Sequence, residues 1–174
     1  MKLVLIRHAR AIERRKSDTA QDDFHRKLTR AGVRRAKLLS PVIHRLIGPV
    51  DLLITSPLKR AIATAELLHY QLWKSAKLVE LDLVAPDSNP KLIANWLSKK
   101  LLLKRKSDLT VVIVGHEPHL SRLAGLLMMG EPISTIELKK CAVAVLEFEG
   151  KVSIGEGRLA GLFQPGDLRG MRED

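Results

Sequence analysis

Residues 110–115, TVVIVG, constrain the fold more than any other stretch of the chain. Valine and isoleucine fill the four central positions, and no polar residue alternates with them. Such a run is typical of an interior strand of a parallel sheet, which is buried on both faces. Residues 3–6, 50–55 and 77–83 are further strand candidates, and helical patterns separate them. The alternation predicts an α/β fold in which a mostly parallel sheet carries helices on both faces.

The C-terminal quarter of the chain departs from this alternation. Residues 142–148 and 151–154 have the pattern of two antiparallel strands joined by a two-residue turn at Glu149 and Gly150. We expect this hairpin to complete the sheet, and residues 159–174 to run over the surface as a tail that frays. Because 174 residues suit one domain, we expect residues 1–174 to form a single domain.

Two helix starts bear on the prediction of a site. Thr29 has the character of an N-cap for a helix that contains Pro41, and we expect this proline to kink or split that helix. Ser56 and Pro57 have the character of an N-cap and a first helical residue for the next helix. Arg60 then falls in a first turn, where the helix dipole ordinarily disfavours a cation. An arginine in that position is better explained as a group that binds an anion.

Composition excludes several classes of protein. The chain has no run of 18 or more apolar residues, which argues against a transmembrane helix. Arg7 and His8 interrupt the N-terminal apolar run too early for a signal peptide. Cys141 is the only cysteine, so we expect a reducing compartment, most simply the cytoplasm.

Charge leaves the class of partner open. The chain carries 30 Lys and Arg against 19 Asp and Glu, a net charge of +11, with a basic cluster over residues 99–106. Such a field suits an acidic or phosphorylated substrate, an anionic membrane surface or nucleic acid, or it is simply a solvated surface. Aromatic residues make up only 3% of the chain, which disfavours binding of single-stranded nucleic acid.

Polar residues follow three of the predicted strands at the point where each strand ends. Arg7 and His8 follow the first strand, Arg60 follows the second within one helical turn, and His116 follows the strand 110–115. Ligands of open α/β sheets bind beyond the carboxyl ends of the strands, so these four side chains are expected to converge. Two guanidinium groups and one imidazole suit three phosphoryl oxygens, while the second imidazole is free to attack phosphorus. No metal-binding loop is evident, so we expect no metal and no other cofactor, with the arginines supplying the positive charge.

Four motifs carry a family resemblance that spans most of the chain. Residues 5–9, LIRHA, resemble the Arg-His-Gly motif of the histidine phosphatase (phosphoglycerate mutase-like) superfamily. Residues 28–32, LTRAG, resemble its Leu-Thr…Gly helix start, and residues 56–65, SPLKRAIATA, its second arginine motif. Residues 114–118, VGHEP, resemble its second histidine motif. The short length, residues 23–29 (DFHRKLT) and residues 115–118 are similar to the SixA-type phosphohistidine phosphatase branch.

The resemblance implies a phosphoglycerate mutase-like fold and a metal-independent phosphatase that acts through a phosphohistidine intermediate. His8 is the implied nucleophile, and Arg7, Arg60 and His116 are implied to bind the phosphoryl group, with His116 counted among the catalytic residues. The implied substrate is phosphohistidine in proteins, so the expected partner is a phosphorylated protein. We expect no membrane partner, and the sequence disfavours nucleic acid.

Two features depart from the family pattern. Ala9 replaces the usual glycine of the first motif and would be strained if that position required a positive φ angle. Glu80, and after it Asp82, are the nearest candidates for the proton donor that many members carry, but the surrounding sequence lacks the glycine that accompanies this acid. Asp23 and Arg26 either line the mouth of the site or form an exposed ion pair of little consequence.

Two other functions stay open at this point. One is a phosphatase for small phosphate esters, and a mutase is disfavoured because the chain has little spare length to enclose a substrate. The other is a catalytically silent module that binds an anion or a phosphoprotein. Turnover that is sensitive to vanadate distinguishes the enzymes from the silent module.

Overall fold

A computed structural model describes residues 1–101 and 109–172. The strands in these ranges are β1 Lys2–Arg7, β2 Leu52–Thr55, β3 Lys77–Glu80, β4 Thr110–Gly115, β5 Val143–Glu147 and β6 Arg158–Phe163. The helices are α1 Ala20–His25, α2 Arg30–Ile47, α3 Lys59–Leu72, α4 Pro90–Leu101, α5 His119–Met129 and α6 Pro165–Gly170, with a 3₁₀ turn at Asp82–Val84. Within these ranges no helix combines the length and apolar character needed to cross a bilayer.

The six strands form one mixed sheet in the order β3-β2-β4-β1-β5-β6. Strand β4 lies between β2 and β1, is parallel to both, and is buried along its whole length. Strand β3 extends the parallel part, whereas β5 and β6 are antiparallel. The predicted α/β class, with a mostly parallel sheet and a C-terminal antiparallel hairpin, is confirmed.

Helices cover both faces of the sheet because alternate side chains of each strand point to opposite sides. Leu3 and Leu5 of β1 belong to a core cluster shared with α4 and α5. Val4 and Ile6 belong to a second cluster, shared with α2, α3 and α6. Each face of the sheet therefore has its own hydrophobic core, and the strand ends between the two cores are left for polar residues.

The prediction of a second hairpin strand at residues 151–154 is wrong. Residues 151–154 form no strand, and β5 instead pairs with β6 across a longer connection. Phe148 and Val152 are buried in the core beside α4 and α5, so the chain returns to the core instead of reversing at Glu149 and Gly150. The gain from burying two large apolar side chains outweighs a local preference for a tight turn.

The predicted surface tail is also corrected. Residues 159–163 belong to β6, and α6 follows directly. Leu168 of α6 is completely buried in the core cluster that includes α2. The tail therefore closes one face of the sheet, because a single well-placed leucine anchors a helix that is otherwise short and polar.

Helix α2 begins as predicted, with the Thr29 hydroxyl accepting a hydrogen bond from the Gly32 amide. The helix is not split at Pro41, which lies inside one continuous helix. Pro41 has no N–H to donate to the Lys37 carbonyl four residues earlier. Both residues are exposed, so water can satisfy that carbonyl.

Part of the predicted basic cluster lies outside the described residues. Lys99 and Lys100 are exposed in the last turn of α4, where cations complement the helix dipole. Lys104, Arg105 and Lys106 belong to the stretch that the structure does not describe. The effect of this cluster on a charged partner stays a prediction.

Gly32 fits the start of α2 closely against the chain that follows β1. A Cβ atom at this position would overlap the carbonyl oxygen of Arg10. That same oxygen accepts a hydrogen bond from the Thr29 amide, at 2.9 Å. Glycine at this place therefore lets α2 pack on the backbone just beyond His8.

We expect Gly32→Ala to lower the free energy of unfolding by about 1–3 kcal/mol, because the added methyl group forces the two backbones apart. Gly166→Ala is the matched control, since nothing lies within 4 Å of a Cβ built there. The control should leave stability unchanged or raise it by up to about 1 kcal/mol, because alanine loses less conformational entropy than glycine at an unstrained helical position. Urea unfolding of both variants measures the difference, and equal stabilities would contradict this account of Gly32.

Candidate functional site

The pairing of β1 with β4 brings two imidazoles together. Arg7, the last residue of β1, is in register with Gly115, the last residue of β4. The register continues one step further, because the His8 amide donates to the Gly115 carbonyl at 3.0 Å. The His8 and His116 rings consequently lie with their centroids 5.0 Å apart and their planes inclined by 53°.

His8 presents a free nitrogen of defined protonation. Its Nδ1 lies 2.7 Å from the carbonyl oxygen of Ala9, and a carbonyl can only accept, so Nδ1 carries the ring proton. Nε2 is then left with its lone pair. Burial, and to a smaller extent the Arg60 and Arg7 charges, lowers the pKa of His8 to about 3 against the opposing effect of the Ala9 hydrogen bond. The imidazole is neutral at physiological pH, as a nitrogen nucleophile must be.

Arg7 is held by one edge of its guanidinium group. Its Nη1 donates to the Leu138 carbonyl at 2.8 Å. The Leu138 amide in turn donates to the Glu117 carboxylate at 3.1 Å, so the residue after His116 helps to hold the residue whose carbonyl orients Arg7. The Nε–H of Arg7 is buried and has no hydrogen-bonding partner.

Arg60, the second residue of α3, is held in a similar way by Asp23 of α1. Its Nη1 donates to the Asp23 main-chain carbonyl at 2.7 Å, and its Nη2 to the Asp23 carboxylate at 3.1 Å. The same carboxylate accepts from Arg26 Nε at 2.8 Å. Burial lowers the pKa of Arg60 and the Asp23 charge opposes that shift. Asp23 and Arg26 thus form an ion-pair network with a buried arginine and are not an isolated surface pair.

His116 is buried, and only one of its ring nitrogens is available. Nε2 lies 2.8 Å from the Ser56 hydroxyl, whereas Nδ1 is buried without a partner. Burial, followed by the nearby His8 ring and the charge of Arg60, lowers the pKa of His116 to about 2, so this ring is also neutral.

The predicted capping role of Ser56 is wrong. Helix α3 begins at Lys59 with Leu58 as its N-cap, and the Ser56 side chain, which is completely buried, lies against His116. Sequence reasoning assigned Ser56 to the helix because Ser-Pro is a common helix start. Ser56 directly follows β2, at the sheet edge that also carries His8 and His116, and this position could have predicted that Ser56 lies beside them.

Buried nitrogens without a hydrogen-bonding partner are concentrated near this sheet edge. In residues 1–101 and 109–172 they are Arg7 Nε, Arg60 Nε, His116 Nδ1 and the two ring nitrogens of His119. Although burial lowers the pKa of His119, its ring lies against the Leu83 backbone, which raises that pKa, so three residues remain to be explained. Buried polar groups are rarely left unpaired, so the nitrogens of Arg7, Arg60 and His116 beside the unprotonated Nε2 of His8 need an explanation. The two guanidinium N–H groups favour an anion with several oxygens, such as a phosphoryl group.

Ala9 causes no strain in place of the motif glycine. Among the described non-glycine residues only Cys141 has a positive φ angle, so the backbone of Ala9 is open to alanine. The Ala9 amide donates to the Thr64 hydroxyl at 3.1 Å, and the Ala9 side chain is completely buried. The conformation expected to require glycine is absent at this position.

Glu80 and Asp82 lie apart from this cluster. Both are exposed, and Glu80 ends β3, the edge strand. Strand β3 is three positions from β1 in the sheet, about 14 Å at roughly 4.8 Å per strand. No ion pair or side-chain hydrogen bond links either acid to the four predicted residues within the described ranges.

Metal ligands are not clustered in the part of the chain that the structure describes. There, no three His, Cys, Asp or Glu side chains are placed so that they could hold a metal ion together. The positive charge near His8 comes from Arg60, Arg7 and Lys140.

Comparison with known proteins agrees with the arrangement of the motifs. The family model described as histidine phosphatase superfamily (branch 1) matches residues 3–85, which include His8 and Arg60. An uncharacterized protein of Picosynechococcus sp. is 30% identical over 150 residues, which cover 82% of each chain. The chain belongs to the histidine phosphatase superfamily.

Solved structures share the fold over nearly the whole chain. The protein histidine phosphatase SixA complexed with tungstate superposes with a TM-score of 0.79 at 23% identity, covering 97% of this chain and 99% of that one. A mycobacterial glucosyl-3-phosphoglycerate phosphatase gives 0.69 at 16% identity, covering 94% and 98%. A phosphoserine phosphatase of Entamoeba histolytica gives 0.67 at 16% identity, covering 96% and 98%. At such identities the likeness establishes the phosphoglycerate mutase-like fold.

We expect the stability of the protein to fall as the pH drops below about 6.5. Burial lowers the pKa values of His8, His116 and His119 to about 3, 2 and 4 from an ordinary value of 6.5. The unfolded chain therefore binds protons between pH 6.5 and 4 that the folded protein does not, and protonation favours unfolding. Each group costs about 2 kcal/mol at pH 5, at 1.36 kcal/mol per pH unit.

Urea unfolding of the wild type and of His119→Gln between pH 5 and 7.5 measures this dependence. His119 is chosen because no hydrogen bond or ring contact in the described part of the chain joins it to His8, although it lies near enough to His116 to help lower the pKa of that ring. The variant should lose less stability on acidification than the wild type, whatever its stability at pH 7.5. Identical pH dependences would show that His119 is not held neutral by burial.

Proposed function

We propose that this protein is a metal-independent phosphatase that forms a phosphohistidine intermediate on His8, and that its substrate is phosphohistidine in another protein. The observation that carries the proposal is the set of three unpaired, buried nitrogens, Arg7 Nε, Arg60 Nε and His116 Nδ1, beside His8 with its free Nε2. With a proton on each, these nitrogens match the three non-bridging oxygens of a phosphoryl group, and an unprotonated nitrogen is the atom that attacks phosphorus.

The reaction has two displacement steps. The lone pair of His8 Nε2 forms a bond to phosphorus while the bond to the leaving group breaks, and the leaving group takes that electron pair. Water then attacks the phosphorus of phospho-His8, which releases inorganic phosphate and restores the neutral imidazole. In both steps Arg7, Arg60 and His116 stabilise the negative charge on the equatorial oxygens, and they are oriented before the reaction begins.

The arrangement of carboxylates favours a phosphohistidine substrate. Glu117 accepts hydrogen bonds from Ser121 and Leu138, and Asp23 accepts from Arg26 and Arg60, so both acids are held as acceptors. Glu80 and Asp82 are exposed at the edge of the sheet. An alkoxide leaving group needs a positioned acid, whereas an imidazole leaving group can already carry a proton on its other nitrogen near neutral pH.

Basic residues around the site favour an anionic macromolecule as the substrate. Burial, and then the charges of Arg7, Arg10 and Arg26, lower the pKa of Lys140, which indicates that these cations share one region. The Cys141 amide bonds to the Arg7 carbonyl, so Lys140 lies at the same end of β1 as His8. The similarity to SixA, a protein histidine phosphatase, points in the same direction.

A phosphatase for small phosphate esters is the second candidate. The observation in its favour is the similarity of fold to a phosphoserine phosphatase and to a glucosyl-3-phosphoglycerate phosphatase. A silent anion-binding module is the third, and it predicts no turnover at all.

We expect His8→Ala to abolish phosphohistidine hydrolysis, with a loss of at least about 10³-fold, because the nucleophile of both displacement steps is removed. Incubation with a ³²P-labelled phosphohistidine protein should place acid-labile label on the wild type and none on the variant. His44→Ala, at an exposed position of α2, is the control and should behave as the wild type. Full activity of His8→Ala would refute the mechanism, and an inactive wild type would favour the silent module.

We expect phosphohistidine to be hydrolysed much faster than alkyl phosphate esters, with Glu80→Gln changing phosphohistidine hydrolysis less than about threefold. A required proton donor would instead be worth roughly 10²–10⁴-fold. Parallel assays of kcat/KM for the two substrate classes with the wild type and Glu80→Gln measure both effects. If Glu80→Gln abolished activity or alkyl esters were the better substrates, the substrate would be misassigned, while the role of His8 could stand.

A further inference from the structure

Ser56 occupies a position between β2 and α3 that neither the strand nor the helix explains. Its side chain is completely buried, and its hydroxyl oxygen lies 2.8 Å from His116 Nε2. The Leu58 amide donates to the same oxygen over 3.4 Å. Ser56 is therefore a buried hydroxyl with one donor on one side and an imidazole nitrogen on the other.

The direction of the hydrogen bond between Ser56 and His116 follows from counting protons. A hydroxyl has one proton and accepts through its lone pairs. The Leu58 amide can only donate, so Ser56 accepts there. Among the described residues His116 Nε2 is the only acceptor within hydrogen-bonding distance of the Ser56 hydroxyl, and if His116 donated instead, the hydroxyl proton would be buried without a partner. His116 is neutral, so its single ring proton must then reside on Nδ1, the buried nitrogen without a partner.

We propose that Ser56 is a positioning residue that holds His116 in the Nδ1-protonated tautomer, so that the one unpaired nitrogen of this ring donates to a phosphoryl oxygen. In the other tautomer, Nδ1 would turn a lone pair towards the anion and repel it. That Ser56 selects the tautomer of His116 is inferred from the hydrogen bonds around His116 alone. That this tautomer favours binding of a phosphoryl group rests on the proposed function.

The tautomer can be measured without substrate. Long-range ¹H–¹⁵N spectra distinguish a protonated from an unprotonated ring nitrogen, and the His116 signals are assigned by their loss in His116→Gln. At pH 7.5 the wild type should show Nδ1 protonated and Nε2 unprotonated. Ser56→Ala should lose this pattern and shift towards the Nε2-protonated form, which is then free of its serine partner.

Ser40 provides the matched control. It is another buried serine, and its hydroxyl donates to the Ala36 carbonyl within α2, away from His116. Ser40→Ala should keep the wild-type His116 spectrum. Ser56→Thr retains a hydroxyl and should restore the Nδ1-protonated form, and Ser56→Cys, with a weaker donor, should give an intermediate pattern even if the threonine disturbs packing.

Binding of inorganic phosphate measures the consequence. Groups that orient a ligating histidine typically change affinity or activity by 10–100-fold when removed from metal sites, and we expect Ser56→Ala to weaken phosphate binding by about tenfold. Ser40→Ala should bind as the wild type does. An Nε2-protonated His116 in the wild type, or an unchanged tautomer in Ser56→Ala, would overturn the inference. A wild type with the expected tautomer but no affinity for phosphate would count against the proposed function instead.

Discussion

The parallel pairing of β1 with β4 is the constraint on which the rest of the site depends. Their register places the last residues of the two strands side by side and continues to the hydrogen bond between His8 and Gly115. Both strands are locked in this register because each is buried on both faces, and a shift by one residue would turn every apolar side chain to the wrong core. The distance between the two imidazoles is therefore set by the packing of the sheet and does not rely on a flexible loop.

Burial gives this sheet edge its chemistry. Imidazoles removed from water lose much of their affinity for protons, so His8 and His116 stay neutral next to two permanent cations. Hydrogen bonds to the main-chain carbonyls of Leu138 and Asp23, which are fixed by the fold, offset the free-energy cost of removing the guanidinium groups from water. Each arginine consequently keeps a buried Nε–H without a hydrogen-bonding partner.

Support for the two arginines comes from segments outside the sheet. Asp23 lies on α1, a helix that buries none of its own residues, and Arg60 receives two of its contacts from that residue. Glu117 accepts from the amide of Leu138, the residue whose carbonyl orients Arg7. The hydrogen bonds from these segments keep the two arginines inside the protein, because a charged group buried without partners would be expelled to solvent.

Much of this protein could be predicted from its sequence, because short strands and helix starts are local signals. The apolar run 110–115 predicted an interior parallel strand, and the polar residues at the strand ends predicted which side chains would meet. The order of the motifs predicted the family. These features depend on residues close together in the chain, and the topology of an α/β sheet then brings its carboxyl strand ends to one edge.

Tertiary structure alone decided the features that depend on distant partners. Ser56 reads locally as a helix cap, yet it contacts His116, 60 residues away in the sequence. A tight turn after β5 is possible locally, but Phe148 and Val152 are instead buried in a core that includes α4 and α5, and the chain then continues to β6. The proton on His8 Nδ1 and the free Nε–H groups of both arginines depend on which carbonyls lie within hydrogen-bonding distance. A sequence pattern predicts which residues lie at a site. Which of their nitrogens are left without a hydrogen-bonding partner depends on neighbours that are brought close only when the chain folds.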